Sequence, residues 1–425
     1  MAGLFTDLSE EIKRVYPKGS WDNMFNTMAP YRAMLRKCPY KPTKGSVYMP
    51  ARLAGMWSIG VHADGADFPA AKDPTRKQFT LTPELFSGAF TLGLVAKETA
   101  VDQESTYVDG GVLADRVEET SEELAKYINK IYSGANRTRL AIVASDGSNN
   151  FVASQAAGTS NLGVLLLNEN MTIEVRTAHA SGSVRDSMEN QKITTIDESS
   201  QTVTYAGSDR TLVAGDHVYI YGSYSQTPWA LDDLVDDGNA SDSVLGLSRT
   251  TYPRLKANIL GNSGTLRDIS EQLFMQACNA PRRRAGKNVD VIMANQGQSM
   301  KIAEFIGRDR RFITDPKAAP KYSMGYDEQS FRIFAPGVNA KYVENTDCQG
   351  RKIYCLHWDS FVHYSAMDLD WFDDGGGMLK PIPGSSNNYK AGVLAMMASI
   401  ENQGNIMPIA NSRIDDLKDP LFGDA

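Results

Sequence analysis

The sequence predicts an α+β protein with more than one domain and a small all-β unit inserted near its middle. Three observations predict this class. Residues 109–134 carry apolar side chains at helical spacing, residues 171–224 consist of short strand patterns separated by turn residues, and the chain after Phe331 is rich in strand patterns. At 425 residues, the chain also exceeds the roughly 250–300 residues at which single hydrophobic cores stop growing.

The composition argues against several classes of protein. The net charge of −7 disfavours a nucleic-acid-binding surface that covers the whole molecule. No apolar run approaches the roughly 18 residues of a membrane-spanning helix, and the first residues lack the pattern of a secretory signal. The cysteines are too few and too scattered to cross-link a chain of this size, which favours a reducing compartment; they are Cys38, Cys278, Cys348 and Cys355.

The first hundred residues predict an arm followed by a long β-hairpin. Residues 1–45 contain short amphipathic helices with too few apolar side chains to build a core between themselves. In 46–98, two flanks alternate apolar and polar residues as half-buried strands do. Between the flanks lies the polar stretch Gly60–Phe79, which is longer than hairpin loops usually are. This loop is predicted to be either a lid or an arm that contacts another subunit.

The segment 109–134 predicts one long helix. Acidic residues cover the side opposite its apolar stripe and are expected to form a solvated face, with contact to a basic partner as the alternative. Gly134 is the expected left-handed residue that ends the helix. The apolar stripe consists of Leu113, Val117, Leu124, Ile128 and Ile131.

After the all-β unit, residues 229–315 predict a mixed α/β segment. Helices are expected around TLRDISEQLFMQACNA and QGQSMKIAEFIG, with the buried strand VDVIMAN between them. The basic runs PRRRAG and GRDRRF each follow one of these helices. They are expected either to complement the helix dipole or to contact phosphate or carboxylate groups of a partner.

No combination of residues predicts catalysis. The sequence lacks the common nucleophile, phosphate-loop and metalloprotease motifs. His62 with Asp64 in the polar loop lacks the rigid support that acid–base chemistry needs. The simplest interpretation of the carboxylate pairs is that they belong to acidic surface loops; the pairs are Asp232/Asp233, Asp236/Asp237 and Asp373/Asp374. The best metal set lies around an apolar strand, where single Cys or His residues normally belong to a core; it is Cys348, Cys355, His357 and His363. No catalytic residue, metal or cofactor is therefore predicted.

The order of these segments resembles that of the major capsid protein of tailed bacteriophages, the Hong Kong 97 fold. FTLTPELFSGAFTLGLVAKET running into VDGGVLADRVEETSEELAKYI resembles the family's passage from extended loop to spine helix. TVTYAGSDRTLVAGDHVYIYGSY resembles its β-insert, and FDDGGGMLKPIP with NQGNIMPIANSRI resembles its closing strands. The resemblance covers nearly the whole chain, and it is one of architecture rather than of an invariant motif.

The resemblance implies a division of the chain and a function. The segments would be an N-terminal arm (1–45), an extended β-hairpin loop (46–98), a peripheral domain with the spine helix (99–167), a β insertion (168–228), an axial domain (229–380) and return strands to the peripheral domain (381–425). The implied function is not enzymatic: hexamers and pentamers of the protein would form an icosahedral shell around double-stranded DNA, without sequence specificity. The implied location is the virion, after assembly in the host bacterial cytoplasm, and the other implied partners are a separate scaffolding protein, a portal and a decoration protein.

In this family the extended loop lies across a neighbouring subunit. The residues that the resemblance implies at contacts between subunits are His62, Asp64, Phe68, Lys72, Arg76, Lys77, Glu118, Glu119, Glu122, Arg308, Arg310 and Arg311. Some members join subunits through a Lys–Asn bond. Lys72 and Lys77 lie in the loop here and Asn387 and Asn388 in the closing region, but both residue types are too common to predict such a bond. Two alternatives stay open: a hydrolase-like enzyme with an inserted β-domain and a loop lid, and another self-assembling envelope or tail component.

Overall fold

The computed structural model of the protein describes residues 35, 37–43, 45–55, 59, 61, 64, 70, 73–93, 111–134, 137–154, 163–179, 182–224, 226–239, 242–308, 340–372, 379–383 and 389–422. The predictions for residues 1–34, for Asp373/Asp374 and for Asn387/Asn388 lie outside this described part. No helix within it is long and apolar enough to cross a membrane.

Helices and sheets are mixed in the described part of the chain, which confirms the predicted α+β class. The helices are α1 (Gly111–Ser133), α2 (Leu231–Leu234), α3 (Glu271–Ala285) and α4 (Gln296–Arg308). The strands are β1 (Pro42–Thr43), β2 (Ser46–Arg52), β3 (Arg76–Leu81), β4 (Glu84–Gly93), β5 (Arg139–Gly147), β6 (Asn150–Ala153), β7 (Thr172–Arg176), β8 (Gln191–Asp197), β9 (Thr202–Tyr205), β10 (His217–Ile220), β11 (Ser243–Val244), β12 (Leu247–Ser248), β13 (Asn258–Leu260), β14 (Val291–Ala294), β15 (Lys341–Glu344), β16 (Ile353–Leu356), β17 (Phe361–Trp371), β18 (Lys380–Pro383), β19 (Tyr389–Asn405) and β20 (Ser412–Ile414).

The long helix α1 packs on a sheet organised around β19. Strands β17 and β18 pair with β19, and β4 pairs with it along ten consecutive residue pairs. The rings of Tyr127 and Tyr132 meet Phe86 of β4 edge-on, at centroid distances of 6.4 and 5.7 Å. The predicted stripe is confirmed for Val117, Leu124, Ile128 and Ile131, which are all buried, while the side chain of Leu113 lies outside the described part.

Glycine is required at position 134, after α1, for a different reason from the one predicted. Its backbone is not left-handed, and its N–H donates to the carbonyl of Lys130 at 3.0 Å, as in a continuing helix. A Cβ at this position would collide with the backbone oxygen of Asp347. The glycine is therefore needed because another segment approaches closely, which no local pattern reveals.

The all-β unit is a closed barrel with the strand order β10-β5-β6-β9-β8-β7. The prediction of a self-contained unit within 171–224 is wrong, because β5 and β6 come from 139–153 and close the barrel. Closure leaves no free strand edge, and each strand contributes a buried apolar side chain. These side chains are Val143, Phe151, Ile173, Ile193, Val203 and Val218.

A second core lies between α3 and the five-stranded sheet β13-β20-β16-β14-β15. The strand predicted from VDVIMAN is β14, and all four of its residues are buried. Helix α3 begins after Ser270, whose side chain accepts from the N–H of Leu273, and ends at the left-handed Gly286. Arg282, Arg283 and Arg284 form its last turn, so the PRRR run belongs to the helix rather than following it as predicted.

Candidate functional site

Within the predicted hairpin segment 46–98, β2 and β3 pair antiparallel from Val47↔Leu81 to Arg52↔Arg76. Residues 76–79, which were predicted as loop, belong to β3, and β4 pairs with β19 instead of extending the hairpin. One face of the hairpin is buried, and Met49 and Phe79 lie opposite each other there. Tyr48 on the other face is exposed. The alternation of buried and exposed residues in β2 is the one that the sequence pattern predicts.

The base of the hairpin rests on the same chain. The N–H of Thr80 donates to the carbonyl of Leu245 at 2.9 Å, and Leu245 is fully buried in the turn between β11 and β12. A Cβ added to Gly404 of β19 would lie 3.3 Å from Leu245 and 3.6 Å from Leu81. The two strands therefore have a fixed support within the subunit.

The far end of the hairpin is cationic. Arg52 and Arg76 lie directly opposite each other, and Lys77 follows Arg76 in β3. All three are exposed, and within the described residues none has an ion-pair partner. Like charges directly opposite each other on a sheet are destabilising. This end of the hairpin is therefore suited to contact a carboxylate-bearing surface outside it.

The connecting loop reaches into solvent at its described positions. The N–H of Leu53 donates to the carbonyl of Thr75 at 2.9 Å, so the loop proper begins after this pair. Ile59 is 87% exposed, and Val61, Asp64 and Ala70 are also exposed. Large apolar side chains fully in water are typical of surfaces that contact a partner.

The structure places only some of the predicted contact residues. Arg76, Lys77 and Asp64 lie at the cationic end and in the loop. Glu122 lies on α1 and forms a 3.2 Å ion pair with Lys126, one turn away on the same helix. Glu118, Glu119 and Arg308 belong to helices, but their side chains are outside the described part, as are the residues His62, Phe68, Lys72, Arg310 and Arg311. Arg52 was not predicted, because only the strand register places it opposite Arg76.

The acidic segment is buried over residues 231–236, so its prediction as a surface loop is wrong for Asp232, Asp233 and Asp236. Lys352, immediately before β16, has its Nζ 2.8 Å from Oδ1 of Asp232, and Arg413 of β20 places Nη1 2.7 Å from the same oxygen. The hydroxyl of Tyr354 donates to Asp232 at 3.0 Å. We call Asp232, Asp233 and Asp236, with these cations and Arg249, the acidic hub.

Asp236 is neutralised in the same way, whereas Asp233 accepts a hydrogen bond from a backbone N–H. Asp236 lies 3.6 Å from Arg249 and 3.7 Å from Arg413, and Arg249 also donates to the backbone carbonyl of Asp233. The backbone N–H of Arg137 donates to the Asp233 carboxylate at 3.2 Å. Burial raises the pKa of Asp233 to about 6. Arg413 of β20 forms ion pairs with Asp232 of α2 and with Asp236, so the hub connects α2 to the five-stranded sheet.

A signal for the hub is present in the sequence. Leu231, Leu234 and Val235 surround the carboxylates at helical spacing and are fully buried, a pattern that indicates a packed turn rather than a solvated loop. The partners Arg249, Lys352 and Arg413 are distant along the chain. Their approach follows from the tertiary fold alone.

The Cys and His residues that were considered as a metal set are not brought together. Cys355 lies beside Cys278 of α3. Nδ1 of His357 is 2.7 Å from Asp290, and Nε2 of His363 is 3.1 Å from the buried Glu401. Within the described residues, no three His, Cys, Asp or Glu side chains are arranged to hold a metal ion.

Two histidines lie where the barrel joins the rest of the chain. Nδ1 of His179 is 2.8 Å from the hydroxyl of Tyr219, and the rings of His179 and His217 are 5.6 Å apart. Arg139, at the start of β5, is buried and lies near both rings. Burial, followed by the Arg139 charge, lowers the pKa of each histidine to about 4.

No family model and no curated protein matches the chain, but solved structures do. The chain is similar to one in the cyanophage A-1(L) capsid asymmetric unit, with 14% identity and a TM-score of 0.53 over 92% of this chain and 93% of that chain. The chain is also similar to the capsid of an empty GTA particle, with 10% identity and a TM-score of 0.45 over 91% of this chain and 89% of that chain. A structure from Gordonia phage Cozz has 11% identity and a TM-score of 0.42 over 92% of this chain and 86% of that chain. The cyanophage match shows that the chain has a phage-capsid fold over almost its whole length. Identity this low shows the fold alone.

Proposed function

We propose that this protein is a tailed-phage major capsid protein of the Hong Kong 97 type, a structural subunit rather than an enzyme. Copies of it assemble as hexamers and pentamers into an icosahedral shell that encloses double-stranded DNA. The observation that carries the proposal is the whole-chain similarity to the cyanophage A-1(L) capsid fold. On this proposal the protein resides in the virion after assembly in the host cytoplasm. Its further partners are a scaffolding protein, a portal and a decoration protein.

The hairpin supports this function because its two ends differ. Its base has fixed contacts within the subunit, whereas its far end presents Arg52, Arg76 and Lys77 without ion-pair partners in the described part of the chain. A repulsive pair such as Arg52 and Arg76 becomes favourable when a carboxylate surface approaches it. We assign this role to the acidic side of α1 in an adjacent subunit, with Glu118, Glu119 and Glu122.

Electron microscopy of the purified chain, alone and with its scaffolding protein, tests the function. Shells or rings of five and six subunits are expected. The variant Arg52→Glu/Arg76→Glu should assemble more weakly at low salt, with a difference that shrinks at high salt because exposed ion pairs are screened. Each such pair contributes only about 0.2–1 kcal/mol, but a shell repeats it in every subunit.

The matched control is Lys192→Glu, which reverses an exposed charge on the barrel strand β8. It should assemble like the unaltered chain. A chain that stays monomeric under all these conditions would contradict the capsid function. Equal assembly by the double variant and the control would contradict only the role of the cationic end, and not the capsid function.

A further inference from the structure

Two free cysteines meet where α3 packs on the five-stranded sheet. Cys278 belongs to the buried side of α3, and Cys355 belongs to β16, which lies between β14 and β20. Both are fully buried and share one apolar core with Phe274 and Ile292. Neither has a part in the hairpin or in the acidic hub.

Independent contacts bring together the two segments that carry these cysteines. Ser412 of β20 is the cross-strand partner of Cys355, and its hydroxyl donates to the carbonyl of Ala277 at 2.6 Å. Ala277 immediately precedes Cys278, so this bond holds the Cys278 turn of the helix over the Cys355 position of the sheet. The thiol of Cys355 then donates a hydrogen bond to the sulfur of Cys278.

We propose that Cys278 and Cys355 are an oxidisable pair, which a small-molecule disulfide converts into a covalent bond between α3 and β16. The product is an intramolecular disulfide across the second core of the subunit. This inference concerns the single chain and holds whether or not the chain assembles.

The arrangement assigns the two thiols different roles. The hydrogen bond from Cys355 lowers the pKa of Cys278, whereas donating that bond, together with burial, raises the pKa of Cys355 well above its usual range. Cys278 lies on the helix, which can open locally, whereas Cys355 lies in an inner strand of the sheet. Cys278 is therefore the thiol that an oxidant reaches first, and it attacks as the thiolate.

The exchange proceeds in two balanced steps. The Cys278 thiolate attacks one sulfur of the oxidant, forming a mixed disulfide and displacing one thiolate of the oxidant. Cys355 then gives its proton to that thiolate or to water, and its sulfur attacks Cys278 and displaces the second thiol. In total the two cysteines lose two electrons and two protons, and the oxidant is reduced to two thiols.

Burial of both sulfur atoms makes access the slow step. An oxidant reaches Cys278 when α3 opens locally from the sheet, an event that requires less than global unfolding. The bond should therefore form slowly in the folded chain and faster in mild denaturant. Once formed, it stabilises the subunit by restricting the unfolded chain.

The test incubates the full folded chain with oxidised glutathione, blocks the remaining thiols by alkylation and maps the peptides by mass spectrometry without reduction. We expect a linked peptide pair containing Cys278 and Cys355, the loss of two alkylatable thiols and a melting temperature raised by a few degrees. A reductant should reverse all three effects.

Two variants complete the test. Cys278→Ala should abolish the linked pair and the rise in melting temperature, whereas Cys348→Ala, at another buried cysteine, should leave both unchanged. Even if a variant fails to fold, the peptide map of the unaltered chain decides whether Cys278 and Cys355 become linked. The proposal is overturned if all four thiols stay reduced, if the link joins another pair of cysteines, or if the bond forms only after complete unfolding.

Discussion

Asp232 has more strong contacts than any other carboxylate of the acidic hub. Lys352, Arg413 and Tyr354 all donate to it at 3.0 Å or less. We expect Asp232→Ala to destabilise the subunit by about 3–5 kcal/mol, because it leaves two buried cations without their main counter-charge. Urea denaturation monitored by fluorescence measures this loss.

The control for Asp232 is Asp237→Ala in the same segment. Asp237 is less buried, and among the residues that the structure describes its carboxylate bonds to Asn239 alone, through the backbone and the side-chain amide. Its removal should change the free energy of unfolding by less than about 1 kcal/mol. Similar losses in the two variants would contradict the central place of Asp232 in the hub.

His179 and His217 make stability depend on pH. Both have a pKa of about 4 in the folded chain, against about 6.5 when unfolded. As the pH falls from 6.5 to 4, these two histidines bind protons in the unfolded chain but not in the folded chain. The stabilisation from the neutral pair is therefore complete above pH 6.5 and is lost progressively down to pH 4.

The double variant His179→Gln/His217→Gln isolates this contribution. Its free energy of unfolding should fall less steeply than that of the unaltered chain between pH 6.5 and 4, while both profiles run parallel above pH 7. Comparison with a variant is needed because Asp233 also titrates in this pH range, with its pKa raised to about 6. Its protonation increases the free energy of unfolding as the pH falls, which is opposite to the effect of the histidines. Parallel profiles throughout would show that the histidines are not held neutral.

At the scale of elements, the barrel is the most self-contained part of the described structure. Residues 139–224, which supply all six of its strands, should fold alone and give β-type circular dichroism with a cooperative melting transition. Residues 171–224 should not, because without β5 and β6 the sheet stays open and Val203 and Val218 lose their core. Equal melting of the two fragments, or a random-coil spectrum from the longer one, would contradict this prediction.

These elements show which information is local in the sequence. Helix α1 could be predicted because its apolar stripe repeats within one segment, and the β2–β3 hairpin because both strands alternate close together along the chain. The membership of β5 in the barrel could not be predicted, because pairing with β10 joins Ala141 to Val218 across most of the unit. For the same reason, Arg76 was predicted at the candidate site and the opposing Arg52 was not.

At the scale of the whole molecule, the hairpin loop should be dispensable for folding but not for assembly. Replacing residues 54–74 with Asn-Gly joins Leu53 to Thr75, already paired, through a two-residue turn. Since the described positions from Ile59 to Asp73 are exposed, little burial is lost within one subunit. We expect a melting temperature close to that of the unaltered chain and no shells by electron microscopy.

The matched control keeps the loop at full length and carries Ile59→Ser and Val61→Ser. It should fold normally and assemble partially, because the other residues of the loop are retained. Intact shells from the shortened chain would contradict the arm. An unfolded shortened chain would instead favour a lid that packs on its own subunit.

The place of β20 in the five-stranded sheet has a consequence for the order of folding. It lies between β13 and β16, so Asn258 pairs with Ser412 across a long stretch of chain. Translation delivers β13, β14, β15 and β16 first, and until β20 emerges, β13 and β16 each keep an unpaired edge. Closing so long a loop is entropically unfavourable and slow. Because Arg413 of β20 also neutralises Asp232 and Asp236, a nascent subunit completes its sheet and its hub in the same late event, and it cannot present its finished surface to a neighbour before then.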